Sequence, residues 1–218
     1  MPFRDRVEAG ERLGRHLAGR LAARGEEVVV LGIPRGGVVV ARPVAEALGA
    51  PLDITIPRKI GAPGNPELAV GAMALAGDEE IVVVDERSLA YLRVPREYVK
   101  EEAARQRQEI ERRLAAYRQG RPPVPIAGRT VVVVDDGIAT GLTAAAALRA
   151  LDRQGPRELI LAVPVAPPET VREFRSRGLV VEALETPSPF HAVGRFYADF
   201  EPVEDADVLR VLGEGREA

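Results

Sequence analysis

The chain has 218 residues, 46% of them hydrophobic and 29% charged, with a formal net charge of -3. That is enough chain to bury a sizeable core, and the charge gives no overall pull toward nucleic acid or an acidic membrane surface. There is no cysteine, which excludes disulfides, thiolate nucleophiles and cysteine-based metal sites, and with only His16 and His191 as imidazoles a zinc centre is not expected.

The N-terminal stretch MPFRDRVEAGERLGRHL is charged throughout and lacks the apolar core of a signal peptide. No apolar run approaches the roughly 20 residues of a membrane span. A cytoplasmic protein is therefore expected. Of the 30 basic residues only Lys59 and Lys100 are lysine, and Asn65 is the sole asparagine. Scarcity of Asn, Cys and Met fits a thermophile; a GC-rich genome that favours arginine codons accounts for it equally well.

Residues 5 to 24 carry Val7, Leu13, Leu17 and Leu21 at helical spacing, with Gly25 as the stop. EVVVLGIP (27 to 34) is a strand-type apolar run, and GGVVVARPVAEALGA can start a helix after it. PLDITIP (51 to 57) alternates and reads as a second strand, completing a right-handed βαβ unit. Residues 58 to 80 are rich in Gly and Pro; LAVGAMAL can form a hairpin arm there and EIVVVD a further strand. A long helix is predicted from Pro95 to Gln119, with Val99, Ala103, Ile110, Leu114 and Tyr117 on one stripe. Pro95 suits its first position and Gly120 its end. Then come the strand VVVV, a helix over about 141 to 154, a strand at ELILAVPVA, a helix from Pro168 to Arg177 and a last strand in GLVVEALE. The tail from Thr186 reads as irregular.

The chemistry concentrates in VVVVDDGIATGLT, residues 131 to 143. Four consecutive valines suit a central parallel strand buried on both faces. The following loop then lies at the carboxyl end of a strand and the amino end of a helix, where open α/β sheets bind ligands. Free backbone N–H groups and the helix dipole favour an anion there. Ala139, Thr140, Gly141 and Thr143 are small enough to let a phosphate approach, and two hydroxyls add hydrogen bonds. Asp135 and Asp136 sit where they can grip sugar hydroxyls or lie beside a divalent cation. The competing reading is a tight βα turn with solvated carboxylates.

The whole string resembles the phosphoribosyl-pyrophosphate (PRPP) motif of the type I phosphoribosyltransferases. The resemblance implies an α/β fold with an open, mainly parallel sheet flanked by helices, a small hood from the C-terminal tail and an inserted helical segment. One domain over 1–218 is expected: a core of about 5–57 and 126–184, an insertion of about 58–125 with a mobile loop and the long helix, and a hood of about 185–218. By resemblance Asp135 and Asp136 hold the ribose hydroxyls, and Ala139, Thr140, Gly141, Leu142 and Thr143 the 5-phosphate. The family uses Mg2+, held mainly by the substrate with Asp135 and Asp136 as neighbouring carboxylates.

Two departures from the family pattern matter. Ala139 stands where the 6-oxopurine enzymes carry an acidic residue, which disfavours hypoxanthine and guanine as acceptors. Gly137 replaces a usually apolar residue and is expected to add backbone freedom.

The family also places a pyrophosphate loop after the first core strand, where this chain has GIPRGG (32 to 37). Arg35 supplies charge, and Gly36 and Gly37 allow close approach to an oxyanion. RKIGAPGNPE (58 to 67) occupies the place of a mobile catalytic loop, with Arg58 and Lys59 resembling its basic pair; a surface excursion with solvated charges is the alternative. The tail TPSPFHAVGRFYADF (186 to 200) gathers Phe190, His191, Phe196, Tyr197 and Phe200. These aromatics can stack on a flat acceptor or pack the tail onto the core.

The resemblance implies transfer of a phosphoribosyl group from PRPP to a nitrogen acceptor, either a nucleobase or an amine, with release of pyrophosphate. Homodimers are common among such enzymes, and neither nucleic acid nor membrane is expected as a partner. A non-catalytic sensor of a phosphoribosyl ligand would keep the same motif, although no helix-turn-helix or basic arm is evident. A phosphoacceptor receiver domain also pairs carboxylates at a strand end, but it would have no use for the Thr-Gly-Leu-Thr loop.

Overall fold

The structure is a computed structural model that describes residues 2–21 and 27–213. The chain divides into two compact units. The first comprises residues 1–55, 122–140 and 155–218, and the second 56–121 and 141–154.

The first unit is built on a five-stranded parallel sheet in the order β2-β1-β6-β7-β8. Its strands are β1 (Val28–Gly32), β2 (Leu52–Ile54), β6 (Thr130–Val134), β7 (Glu158–Val165) and β8 (Val180–Glu185). Every residue of β6 is buried, as its run of β-branched side chains requires of a central strand covered on both faces. Helix α1 (Arg6–Leu21) packs on α2 (Gly36–Leu48), and Leu13, Leu17, Val40 and Val44 close over Val30, Val132 and Ile160 to form the main core. Val7, expected on the buried stripe of α1, is 45% exposed. It lies six residues before Leu13, about 240° around the helix, and so faces away. The stop expected at Gly25 lies outside the described residues.

Return of the chain from the second unit is fixed by a buried acid. Asp53 accepts from its neighbour Ile54 N through Oδ1 at 2.8 Å and from Val124 N through Oδ2 at 2.9 Å. This ties the lead-in of β6 to β2.

The second unit holds a three-stranded antiparallel sheet: β3 (Arg58–Ala62), β4 (Asn65–Ala76) and β5 (Glu79–Val84). Residues 58–67, expected from the sequence to be a loop, are a strand and the start of its hairpin partner. A short helix α3 (Glu86–Leu92) follows, unanticipated from the sequence. It is capped by Asp85, whose side chain accepts from Arg87 N. The long helix is α4 (Arg96–Arg118), with Val99, Ala103, Ile110 and Tyr117 buried; Pro95 is its N-cap, and Gln119 rather than Gly120 is its left-handed C-cap.

Helix α5 (Leu142–Asp152) belongs with this antiparallel sheet and packs on β4 and β5, rather than with the core as its place in the chain suggests. Its four consecutive alanines are all buried and leave room for the close approach of a helix to a sheet.

The C-terminal tail is ordered rather than irregular. After α6 (Pro168–Ser176) and β8 come a 3-10 turn at Val193–Phe196 and helix α7 (Asp205–Gly213). Phe3 N donates to Phe196 O at 2.7 Å and Ala198 N to Phe3 O at 2.7 Å, so the tail pairs with the N-terminal residues. Phe3 itself is 1% exposed. A single apolar residue in charged surroundings gives no periodic signal, so nothing in the sequence marks this one as core.

Candidate functional site

Strand β6 delivers Asp135 and Asp136 at the carboxyl edge of the parallel sheet, and β1 delivers the segment 33–37 beside it. The two meet closely. A Cβ on Gly37 would lie 2.8 Å from Asp135 Cα and 2.8 Å from Val134 O, and a Cβ on Gly36 would collide with the Asp136 carboxylate. The glycines of GIPRGG are therefore needed for space against the two acids, which the sequence alone could not show. Both begin helix α2, which has no acidic residue in its first turn and no side-chain cap. Val38 N donates to Arg35 O at 3.2 Å, so the N–H groups suited to meet an anion there are those of Gly36 and Gly37. The Pro34–Arg35 peptide is cis.

The two carboxylates differ in their surroundings. Asp135 accepts from Asp136 N through Oδ1 at 2.9 Å. Burial, and then the neighbouring Asp136 charge, raise its pKa well above the usual aspartate range. Asp136 is raised too, by burial, against an opposing pull from Arg6. Arg6 Nε donates to Asp136 Oδ2 at 2.8 Å. Proximity and desolvation of two like charges store electrostatic cost at the end of β6, a pattern typical of ligand sites.

The loop after them is held by a different contact at almost every step. Tyr197 Oη donates to Asp136 O at 2.5 Å, and burial keeps this phenol protonated by raising its pKa. Ile138 N donates to Val165 O at 3.1 Å, and Thr170 Oγ1 donates to Ala139 O at 2.7 Å. Gly137 does not have positive φ; a Cβ there would sit 2.6 Å from Val193 Cγ1 and 3.0 Å from Val165 Cγ1. The expected backbone freedom is thus corrected: the glycine makes room for side chains. We expect Gly137→Ala to lower stability by about 1–3 kcal/mol through overpacking. Adding Val193→Ala should recover part of that loss, as read by urea unfolding; equal stability of the single variant and wild type would contradict the packing account.

Ala139 and Thr140 are exposed, and Gly141 adopts φ 73° as the N-cap of α5 with no side-chain capping bond. The glycine is required here because few other residues take that conformation. Leu142 and Thr143 are both half-buried where they open the helix. Gly141, Leu142 and Thr143 thus open a helix without a side-chain cap, a kind of helix start that can meet an anion.

Arg35 makes loose ion pairs at 3.5 Å to Glu204 and 3.7 Å to Asp205 at the start of α7. All three side chains are well exposed, so these contacts contribute little and leave the guanidinium available.

The other expected site residues are distributed differently. Arg58 and Lys59 are adjacent on β3, where the pleat sends consecutive side chains to opposite faces. Arg58 Nε donates to Gln106 of α4 at 2.9 Å, and burial followed by the Arg113 charge lowers its pKa. Lys59 Nζ pairs with Glu67 at 2.6 Å on the other side of the hairpin. The two side chains therefore take separate partners.

In the tail, Tyr197 is 6% exposed and clusters with Phe3, Phe190, Phe196 and Phe200. Phe190 stacks on Phe196 at 5.1 Å, and Tyr197 meets Phe200 at 4.9 Å. Of the two readings left open for these aromatics, packing onto the core describes Tyr197, and its hydroxyl serves the acid loop. His191 is exposed. Sequence reasoning missed Arg6, Thr170 and Val193, since none carries a local signal and each acts across a long stretch of chain.

Comparison with known proteins gives a consistent result. Residues 5–200 match the family profile described as "Phosphoribosyl transferase domain". Two Mycobacterium tuberculosis proteins, from strains CDC 1551 and H37Rv, each named "Putative phosphoribosyl transferase", are 40% identical over 210 residues. That similarity covers 96% of this chain and 46% of theirs, so the chain spans about half the length of these curated relatives. A crystal structure of TT1426 from Thermus thermophilus is similar over 98% of this chain and 99% of that one, with 46% identity and a TM-score of 0.79.

Proposed function

Because the chain belongs to the phosphoribosyl transferase domain family, we propose that it transfers the 5-phosphoribosyl group of PRPP to a nitrogen nucleophile and releases pyrophosphate. The observation that carries this reading is the close packing of Gly36 and Gly37 against Asp135 and Asp136. It brings an anion-accepting helix start beside a pair of desolvated carboxylates, and one ligand with a diphosphate next to a diol answers both.

In this reading Asp135 and Asp136 accept hydrogen bonds from the ribose hydroxyls, and the N–H groups of the 139–143 loop hold the 5-phosphate. Arg35, Gly36 and Gly37 receive the pyrophosphate. The nitrogen lone pair forms the new bond to the anomeric carbon as the carbon–oxygen bond breaks, and the bonding pair leaves with pyrophosphate. Fixing the sugar at both ends converts the encounter into a positioned displacement, and donors aimed at the leaving oxygens stabilise the developing charge.

The donor set fits Mg2+, which keeps several waters and takes one or two carboxylates together with phosphate oxygens. Among the described residues no group of three or more His, Cys, Asp or Glu could cage a metal by itself. A substrate-borne ion beside Asp135 and Asp136 is the arrangement these residues suit. When bound, Mg2+ supplies neutralising charge to the leaving group.

Ala139 has no proton to give or take, and its carbonyl is held by Thr170. Hypoxanthine and guanine are accordingly disfavoured as acceptors. A panel of nucleobases and amines assayed with Mg2+ and PRPP should release pyrophosphate with an acceptor outside that pair. Tight PRPP binding with no release from any acceptor would instead favour a sensor that regulates a partner.

A further inference from the structure

One contact at the site is made by a residue far from every recognised motif. Arg6, at the first position of α1, is 130 residues away from Asp136 in sequence, yet its Nε donates to Asp136 Oδ2 at 2.8 Å. The two side chains are only 11% and 17% exposed. The guanidinium is itself fixed on two further sides. Its Nη1 donates to Glu201 O at 2.9 Å, and its carbon lies 3.8 Å over the Phe200 ring. Gly36 also lies against it, where a Cβ would come within 2.8 Å of Nε. An arginine can make all of these contacts at once because its planar fork donates at the edge and stacks on the face.

We propose that Arg6 is a positioning residue that orients Asp136 for the sugar hydroxyls, with the tail residues Phe200 and Glu201 holding it in place. The proposal rests on the reading of Asp135 and Asp136 as the ribose-binding pair. With Oδ2 committed to Arg6, the carboxylate rotamer is locked and Oδ1 is left to accept from the ligand. The guanidinium also offsets one of two adjacent negative charges, so the pair meets an anionic substrate with less repulsion. The tail thereby contributes to the sugar end of the substrate without touching it. This differs from the acceptor hood expected of that segment.

The test is calorimetric titration of Arg6→Gln and Arg6→Lys with two probes, Mg·PRPP and Mg·pyrophosphate, with thermal unfolding as a check on folding. Pyrophosphate has no sugar hydroxyl. Loss of one charge-assisted hydrogen bond should weaken Mg·PRPP binding about tenfold in Arg6→Gln. Arg6→Lys, which keeps the charge without the fork, should weaken it roughly threefold. Mg·pyrophosphate affinity should fall clearly less than Mg·PRPP affinity in both, since that probe meets Asp136 only through its metal and has no hydroxyl to donate to the carboxylate. If Arg6→Gln unfolds, the lysine variant carries the test. Wild-type PRPP affinity in the folded variants would overturn the proposal, and so would a parallel loss of pyrophosphate, which would make Arg6 a general support of the loop. The underlying reading fails separately: it falls if Asp135→Asn with Asp136→Asn binds Mg·PRPP as the wild type does.

Discussion

Replacing both acids, Asp135→Asn with Asp136→Asn, is expected to lower Mg·PRPP affinity by roughly 10^2- to 10^4-fold, because each charge-assisted hydrogen bond to a hydroxyl contributes about 1.5–3 kcal/mol. Isothermal titration measures it, and unchanged affinity would remove the sugar-site assignment. The single variant Asp135→Asn should at the same time stabilise the fold. Burial and the Asp136 charge raise the Asp135 pKa in the folded protein, so the native state binds its proton more tightly than the unfolded chain does. The sign follows from linkage: the ionised carboxylate costs native stability above the raised pKa, and that cost vanishes below the ordinary aspartate value. Asparagine removes the cost. The melting temperature of Asp135→Asn should therefore exceed that of wild type near neutral pH by roughly 2–4 °C, the shift that about 1 kcal/mol produces in chains of this size. The difference should shrink as the pH falls toward about 4. A gain that persists unchanged in acid would point to a cause other than the buried charge. Loss of binding accompanied by gain of stability is what a residue retained for ligand binding should show.

Gly36→Ala and Gly37→Ala should separate function from fold at adjacent positions. At Gly37 the added methyl meets backbone, 2.8 Å from Asp135 Cα and from Val134 O. Backbone at the end of a fully buried strand cannot yield cheaply, so a loss of about 1–3 kcal/mol in unfolding free energy is expected, along with weakened binding of PRPP and pyrophosphate alike. At Gly36 the methyl meets side chains, the Asp136 carboxylate and Arg6 Nε, which must shift together as their ion pair is displaced. Side chains yield more readily than backbone, so the expected stability loss is smaller than at Gly37, about 1 kcal/mol, while Mg·PRPP affinity falls at least about tenfold, the loss of about one charge-assisted hydrogen bond. Chemical denaturation paired with calorimetry reads both quantities. Equal behaviour of the two variants would mean that the glycines act on the loop by some route other than contact with the two acids.

Much of the site is readable without any fold, and the reason is local. Four buried valines, two acids and a small-residue turn specify a strand, its carboxyl edge and a helix start within thirteen consecutive residues. Hydrophobic pattern and turn chemistry act over that same distance. GIPRGG is legible on similar grounds as a turn built for close approach. The basic pair is less so: Arg58 and Lys59 look like partners in a loop, but a strand sends them to opposite faces. The hairpin is hidden by glycines and prolines that mark turns more often than strands.

What the sequence determined by itself was the parallel α/β plan, the run of acids and small residues at the end of the central strand and the family to which the chain belongs. Tertiary structure alone decided which groups surround that motif. Arg6 on Asp136, Tyr197 on the Asp136 carbonyl, Thr170 on the Ala139 carbonyl and Val193 over Gly137 each join segments far apart in the chain. A contact of that kind leaves no periodicity in either segment. It depends on where the sheet brings two chain segments, and it is settled only when the core has packed.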